Sequence, residues 1–308
     1  MRKTIFGVAF SVVLLCLVVE IGSHVVGPRL FEKRPKPGMD RFPFLTYDPY
    51  VGWKNREFAD PKITADGVRV CPGETGPRVL WVGDSRAFGI WKQGETYHYD
   101  GAAIDLAGMG YQCTDRGVLG YTSFQVVRTL MNDSGKYDAV VIWCGWNDHS
   151  RGSLMQQKQA ESASAYWLNK SATGRILLDA MQKPADPESA MIPPDVYESN
   201  MRTAVRLAKA KAPLVIVCGF PMSPKEIPDW LAYVSGTTDK PSIRKADEDY
   251  RAIGKAVAKS EGVEFVDRTL PADMWDDTDP VHPNKDGMRA VANVLNEIIK
   301  TKRVASAK

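Results

Sequence analysis

Short apolar runs alternate along the chain with segments whose apolar residues recur at helical spacing. Val79–Val82, Tyr111–Val118, Asp138–Cys144, Pro213–Cys218 and Val263–Val266 read as strands. Tyr97–Ala107, Ser123–Met131, Val196–Ala210, Ala246–Ser260 and Lys285–Lys300 read as helices. In Val196–Ala210 the apolar stripe is Met201, Val205 and Leu207. Asp138–Cys144 is nearly continuously apolar, as strands are when both faces of a parallel sheet are covered. The alternation predicts an α/β fold: a three-layer α/β/α sandwich with a mostly parallel sheet and right-handed crossovers. Two stretches interrupt it, a polar insertion from about 149 to 192 and a variable segment from about 222 to 243.

The N-terminus follows another pattern. Met1-Arg2-Lys3 leads into an apolar run from Ile5 to Val19, closed by Glu20 and extendable through Ile21, Val25 and Val26. About 20 apolar residues span a bilayer, and no Ala-x-Ala-like cleavage site follows, so the run predicts an uncleaved transmembrane anchor rather than a signal peptide. Cys16 has Leu15 before it, which argues against a lipoprotein cysteine. The basic terminus would stay cytoplasmic and the rest would be extracytoplasmic, periplasmic or at the cell surface, although Arg29, Lys33, Arg34 and Lys36 weaken that asymmetry. The predicted organisation is an anchor at 1–26, a proline-rich linker and irregular lead-in at 27–77, one domain at 78–302 and a tail at 303–308.

Composition narrows the classes of partner. The 308 residues include 40 basic and 37 acidic side chains, a formal net charge of +3, with no basic block interleaved with aromatics. Nucleic acid is therefore not an implied partner. Five cysteines make no disulfide framework: Cys144 and Cys218 fall within strand patterns, whereas Cys71 and Cys113 could pair in an oxidising compartment. There is no P-loop and no dinucleotide fingerprint, so no cofactor is implied.

Reactive groups gather where the strands end. The first strand runs into Gly83-Asp84-Ser85, a sharp turn before a segment able to start a helix. After the second strand comes Gly120, either a turn glycine or a backbone N–H open to an oxyanion. After the third comes Gly145-Trp146-Asn147-Asp148, where Asn147 is either a helix cap or an amide donor. Near the end, Asp279-Pro280-Val281-His282-Pro283 sets a histidine three residues after an aspartate. That acidic loop, with its one histidine, is a poor zinc set, and no metal is implied. His98 and His24 read as structural, and His149 as a loop histidine that could border the pocket; Trp143, Trp146 and Trp167 read as packing or as platforms for a sugar ring.

These four blocks, in this order, resemble the SGNH/GDSL hydrolase family over about residues 78–300. The resemblance implies the family's flavodoxin-like sandwich, with Ser85 as nucleophile, His282 as general base and Asp279 orienting it. The oxyanion hole would be the N–H groups of Ser85 and Gly120 with the side chain of Asn147. Two positions depart from the family's habit: Arg86-Ala87 after the serine, and Asp115 where Asn is common. The lead-in, Asp48–Trp53 and Gly67-Val68-Arg69, is similar to that of membrane-anchored SGNH proteins associated with bacterial surface polysaccharides. The implied function is a serine esterase acting on small acyl esters such as O-acetyl groups, with an acylated carbohydrate as candidate substrate. The alternatives are an O-acyltransferase and a non-catalytic polysaccharide-binding or assembly protein.

Overall fold

The computed structural model describes residues 45–48, 52–59, 62–71, 73, 75–93, 96–150, 190–235, 237 and 239–306. The predicted anchor, nearly all of the linker, the core of the insertion and Trp167 lie outside them. Among the described residues no helix is long and apolar enough to cross a membrane. The chain divides into two compact units. In the first, residues 1–54 and 154–184, the described part is β1 (Leu45–Asp48) with most of its partner β2 (Gly52–Asn55).

The second unit carries the α/β fold. Its chain order is β3 (Arg69–Val70), β4 (Arg78–Gly83), α1 (Ser85–Phe88), β5 (Trp91–Gln93), β6 (Thr96–His98), α2 (Ala102–Gly108), β7 (Gln112–Gly117) and α3 (Ser123–Asn132). It continues with β8 (Ala139–Trp143), α4 (Trp146–His149), α5 (Pro194–Lys209), β9 (Leu214–Cys218), α6 (Asp229–Val234), α7 (Lys240–Glu261), β10 (Glu264–Val266) and α8 (Lys285–Ser306). Six strands form the main sheet in the order β10-β9-β8-β4-β7-β3, all parallel except β3 on one edge.

The period-two geometry of a strand sorts side chains onto two faces. Val79 and Trp81 of β4, with Val141 and Trp143 of β8, share one core with Leu106 of α2 and Val291 and Leu295 of α8. Leu80 and Val82, with Val140 and Ile142, share the other with Val126 of α3, Met201 and Val205 of α5, and Val257 of α7. Every residue of β8 is buried, because helices cover the sheet on both sides. The chain passes from β4 to β7 on one side and then to β8 on the other. This reversal opens a crevice at the strands' carboxyl ends, where doubly wound sheets bind ligands.

Several boundaries differ from those predicted. The segment predicted as a helix over Tyr97–Ala107 splits: Thr96–His98 pairs with β5 in a hairpin, and the helix begins only at Ala102. Trp91 stacks on His98 with ring centroids 4.1 Å apart, and this cross-strand contact outweighs the helical pattern. Within the variable segment, Asp229–Val234 forms α6, and α7 begins at Lys240, where Pro241 suits a helix's first turn. Gly262, at φ +68°, ends α7. The last helix runs six residues beyond Lys300, to Ser306.

The lead-in, predicted irregular, is tied to the main sheet. Asn55 Nδ2 donates to Gly117 O at 3.0 Å, and β3 pairs antiparallel with β7. Arg69 reaches the carboxylate of Asp115 in an ion pair that leaves both side chains almost fully buried, and its Nη1 donates to Tyr99 O at 2.9 Å. Asp115 also accepts from the Gly117 amide. Cys71 follows β3, and continuing the register places it opposite Cys113, yet both are free thiols. Burial pushes the Cys71 thiol up to about 12 and raises Cys113 as well.

Because removing one partner of a buried pair strands the other charge, Arg69→Met is expected to lower the unfolding free energy by about 3–5 kcal/mol in urea titrations. Adding Asp115→Asn should recover part of the loss. An unchanged midpoint in the single variant would show that the pair contributes nothing.

Candidate active site

The site is built outward from the end of β4. Gly83 lies so close to β8 that a Cβ there would stand 1.9 Å from Trp143 O and 2.7 Å from the Ala87 side chain. With that approach made, the Asp84 amide donates to Trp143 O at 3.0 Å and the chain turns directly into α1. Asp84 caps the helix by accepting from the Arg86 amide at 2.9 Å. Gly89, at φ +74°, closes it after one turn, where a Cβ would lie 2.0 Å from Gly101 Cα. Ser85 thus stands in the first turn of a helix whose two ends are pinned.

The loop after Trp275 delivers the histidine. Trp275 is buried and forms a β-bridge with Pro283. The Asp276 amide donates to His282 O at 3.0 Å, and Asn284 Nδ2 donates to Trp275 O at 3.2 Å. Asp276 accepts from the Thr278 amide and, from the β5–β6 hairpin, the Lys92 amide. Held this way, His282 places Nε2 2.8 Å from Ser85 Oγ and Nδ1 2.6 Å from Asp279 Oδ2. Asp279 also accepts from the Val281 amide at 2.9 Å. With Nδ1 protonated, the ring donates to the carboxylate and accepts from the serine hydroxyl. His282 and Asp279 remain 16% and 19% exposed, so the pair is reachable from solvent.

Burial by itself would lower the imidazole pKa of His282. The Asp279 carboxylate reverses this by charge and by hydrogen bond, leaving the imidazole above its ordinary value. Burial likewise works against the charge of Asp279, but His282 and the loop amides hold its carboxyl below the usual range.

Asn147 Nδ2 donates to Tyr121 O at 2.9 Å, tying α4 to the turn that carries Gly120 at φ +78°. An amide nitrogen has two N–H bonds, so this contact uses one donor and leaves a second. Asp148, fully buried, accepts from the Ser123 amide at 3.0 Å and from its hydroxyl, fastening α4 to the start of α3. Desolvation raises the Asp148 carboxyl to about 7. His149 is not the loop histidine the sequence suggests but a buried residue of α4: desolvation lowers it to about 3, and it sits neutral and edge-on to Trp146, with ring centroids 4.6 Å apart.

The structure therefore gathers Ser85, His282 and Asp279 in one hydrogen-bonded line, and bonds Asn147 to Tyr121, the residue after Gly120. His98 belongs to the hairpin, and Trp143 and Trp146 are buried, which removes both as exposed sugar platforms. Among the described residues no group of three or more His, Cys, Asp or Glu side chains could hold a metal ion. Sequence reasoning missed the anchoring role of Asp148 and the brace at Asp276. The first signal lay in its place directly after Asn147; the second depends on a contact with Lys92, 184 residues away.

A family model described as GDSL-like lipase/acylhydrolase matches residues 81–290, about two thirds of the chain. The chain belongs to that family. This GDSL-like acylhydrolase is thus an enzyme of ester bonds. None of the curated proteins matches it. Among solved structures it is similar to Axe2, an acetylxylan esterase from Geobacillus stearothermophilus, at 19% identity and a TM-score of 0.45, covering 75% of this chain and 96% of that one. It is also similar to the M. smegmatis aryl esterase, at 16% identity and a TM-score of 0.48, covering 73% and 99%.

Its two departures from the family's habit now have physical accounts. Arg86 is buried against Asp84, at 3.1 Å, with its guanidinium 5.7 Å from the centroid of the Trp143 ring. Burial opposes its charge, but Asp84 and the more distant Asp247 carboxylate keep it protonated. The narrow cavity that Arg86 lines with Tyr197, Asp247 and Tyr250 measures about 10 Å³, room for a water molecule but not for an ester. Asp115 is engaged with Arg69 and the Gly117 amide.

The ring-proton NMR signals of His282 are expected to titrate above the ordinary imidazole value of about 6.5. In Asp279→Asn, with burial no longer opposed by a carboxylate, they should titrate below it. A midpoint that the substitution does not move would contradict the coupling.

Proposed function

We propose that Ser85 is the nucleophile of a serine esterase, with His282 as its general base and Asp279 as the acid that orients the imidazole. The observation that carries this reading is the unbroken line from Asp279 Oδ2 to His282 Nδ1 at 2.6 Å and from His282 Nε2 to Ser85 Oγ at 2.8 Å. A serine hydroxyl is a weak nucleophile until a neighbouring base takes its proton. As Ser85 Oγ bonds to the acyl carbon, its proton passes to His282 Nε2, and Asp279 stabilises the imidazolium that forms. The carbonyl electron pair moves onto oxygen and is met by the N–H groups of Ser85 and Gly120 and the free N–H of Asn147. On collapse the C–O bond to the alcohol breaks, and the same imidazolium proton leaves with the alcohol. Water then repeats the sequence on the acyl-enzyme, releasing the acid and restoring Ser85.

The acyl group we assign is small, of the O-acetyl type, carried on a carbohydrate alcohol. The support is the likeness of the lead-in to that of membrane-anchored SGNH proteins of surface polysaccharides, together with a site that opens to solvent.

Ser85→Ala is expected to abolish hydrolysis of 4-nitrophenyl acetate by the purified protein. Asn147→Ala, which removes one oxyanion donor, should lower kcat by about 10²–10³ with little change in KM. Hydrolysis by Ser85→Ala at the wild-type rate would overturn the assignment of the nucleophile.

A further inference from the structure

Trp230, in α6, is 45% exposed, unlike the buried Trp81, Trp143, Trp146 and Trp275. Its indole is also fixed, because Nε1 donates to Thr278 O at 3.1 Å, and Thr278 immediately precedes Asp279. Below it, Leu231 belongs to a small apolar cluster that also holds Val281, next to His282, and Trp146, next to Asn147. The exposed ring is therefore mounted on the packing that joins the histidine loop to α4.

The residues that precede Trp230 and Thr278 in the chain are exposed and charged. Asp229 is 95% exposed, Glu226 is 89% exposed, and Lys240 pairs with both. Asp277, 98% exposed, accepts from Lys225 at 3.1 Å. Glu226 and Lys240 also line an open groove of about 370 Å³ with Ile227 and Arg244. Apolar ligands are taken up in enclosed apolar sites, and this is the opposite setting. A flat apolar surface ringed by hydrogen-bonding groups suits a ligand with an apolar face and a polar rim. A pyranose ring has that form: its axial C–H bonds pack on an aromatic face while its hydroxyls point outward.

We infer that Trp230 is the stacking platform for the sugar ring of the alcohol part of the substrate. Because its indole is already held by the Thr278 carbonyl, binding does not have to order that side chain, which reduces the entropic cost. The inference rests on the reading above of an ester hydrolase acting on a carbohydrate alcohol and adds the residue that binds that alcohol. Trp230 positions substrate and takes no part in bond making.

The test compares the full-length protein with its Trp230→Ala and Trp230→Phe variants on three acetyl esters: a methyl tetra-O-acetyl-glucopyranoside, glyceryl triacetate and 4-nitrophenyl acetate. In Trp230→Ala the ratio of kcat/KM on the acetylated pyranoside to that on glyceryl triacetate should fall about tenfold. The fall should enter through KM, and Trp230→Phe should retain most of the ratio. A ratio that stays constant overturns the inference, because Trp230 would then only brace the histidine loop. A loss confined to 4-nitrophenyl acetate overturns it in favour of an aromatic alcohol. If the wild type cleaves none of the three, the esterase reading fails separately, and titration of tryptophan fluorescence with methyl glucopyranoside decides the subsite. Quenching that disappears in Trp230→Ala would support it, and no sugar-dependent change would overturn it.

Discussion

The contact between the backbones of β4 and β8 at Gly83 is the constraint on which the site depends. Only a residue without a Cβ permits that approach, since the added atom would overlap the Trp143 carbonyl. Once it is made, the Asp84 amide has one partner, the turn has one direction, and Ser85 stands at the carboxyl end of the central strand. The sheet supplies rigidity because β4 and β8 are buried on both faces by two separate cores. The loops supply only the last few ångströms of placement.

Charge around the serine is arranged in two layers with different tasks. Beneath it, Asp84 and Arg86 neutralise one another in a buried pair that fixes the helix start. Beside it, Asp279 and His282 form a pair still reachable from solvent, with its proton held between ring and carboxylate. Burying an ionic pair gives little net stability. Its value here is geometric: one pair fixes the turn that precedes Ser85 and the other fixes the ring of His282. Asp148 does the same for Asn147 with a carboxyl raised to about 7, using the Ser123 amide and hydroxyl instead of a cation.

Much of this was legible in the chain because the parallel strands announce themselves. Runs such as Val79–Val82 and Ala139–Trp143 must be apolar throughout when helices cover both faces, and the reactive blocks fall where those runs stop. What was not legible depends on partners distant in sequence. The Thr96–His98 strand carries a helix-compatible pattern, and its pairing with β5 and the stacking of His98 on Trp91 decide its form. Arg69 looked like a charged residue in an irregular lead-in until the register set it opposite Asp115. Trp143 and Trp146, which read as packing or as sugar platforms, are buried, whereas Trp230 is exposed and lies in a stretch whose pattern gave no element at all. Apolar periodicity reports burial in regular elements and is silent on a single side chain left outside.

The central claim is that Ser85 is an activated nucleophile. Mass spectrometry of the protein after incubation with a serine-reactive fluorophosphonate tests it most directly. The account predicts one adduct per chain, mapped to Ser85 and lost in His282→Ala. A folded protein that stays unlabelled, or one labelled equally well without His282, would contradict it.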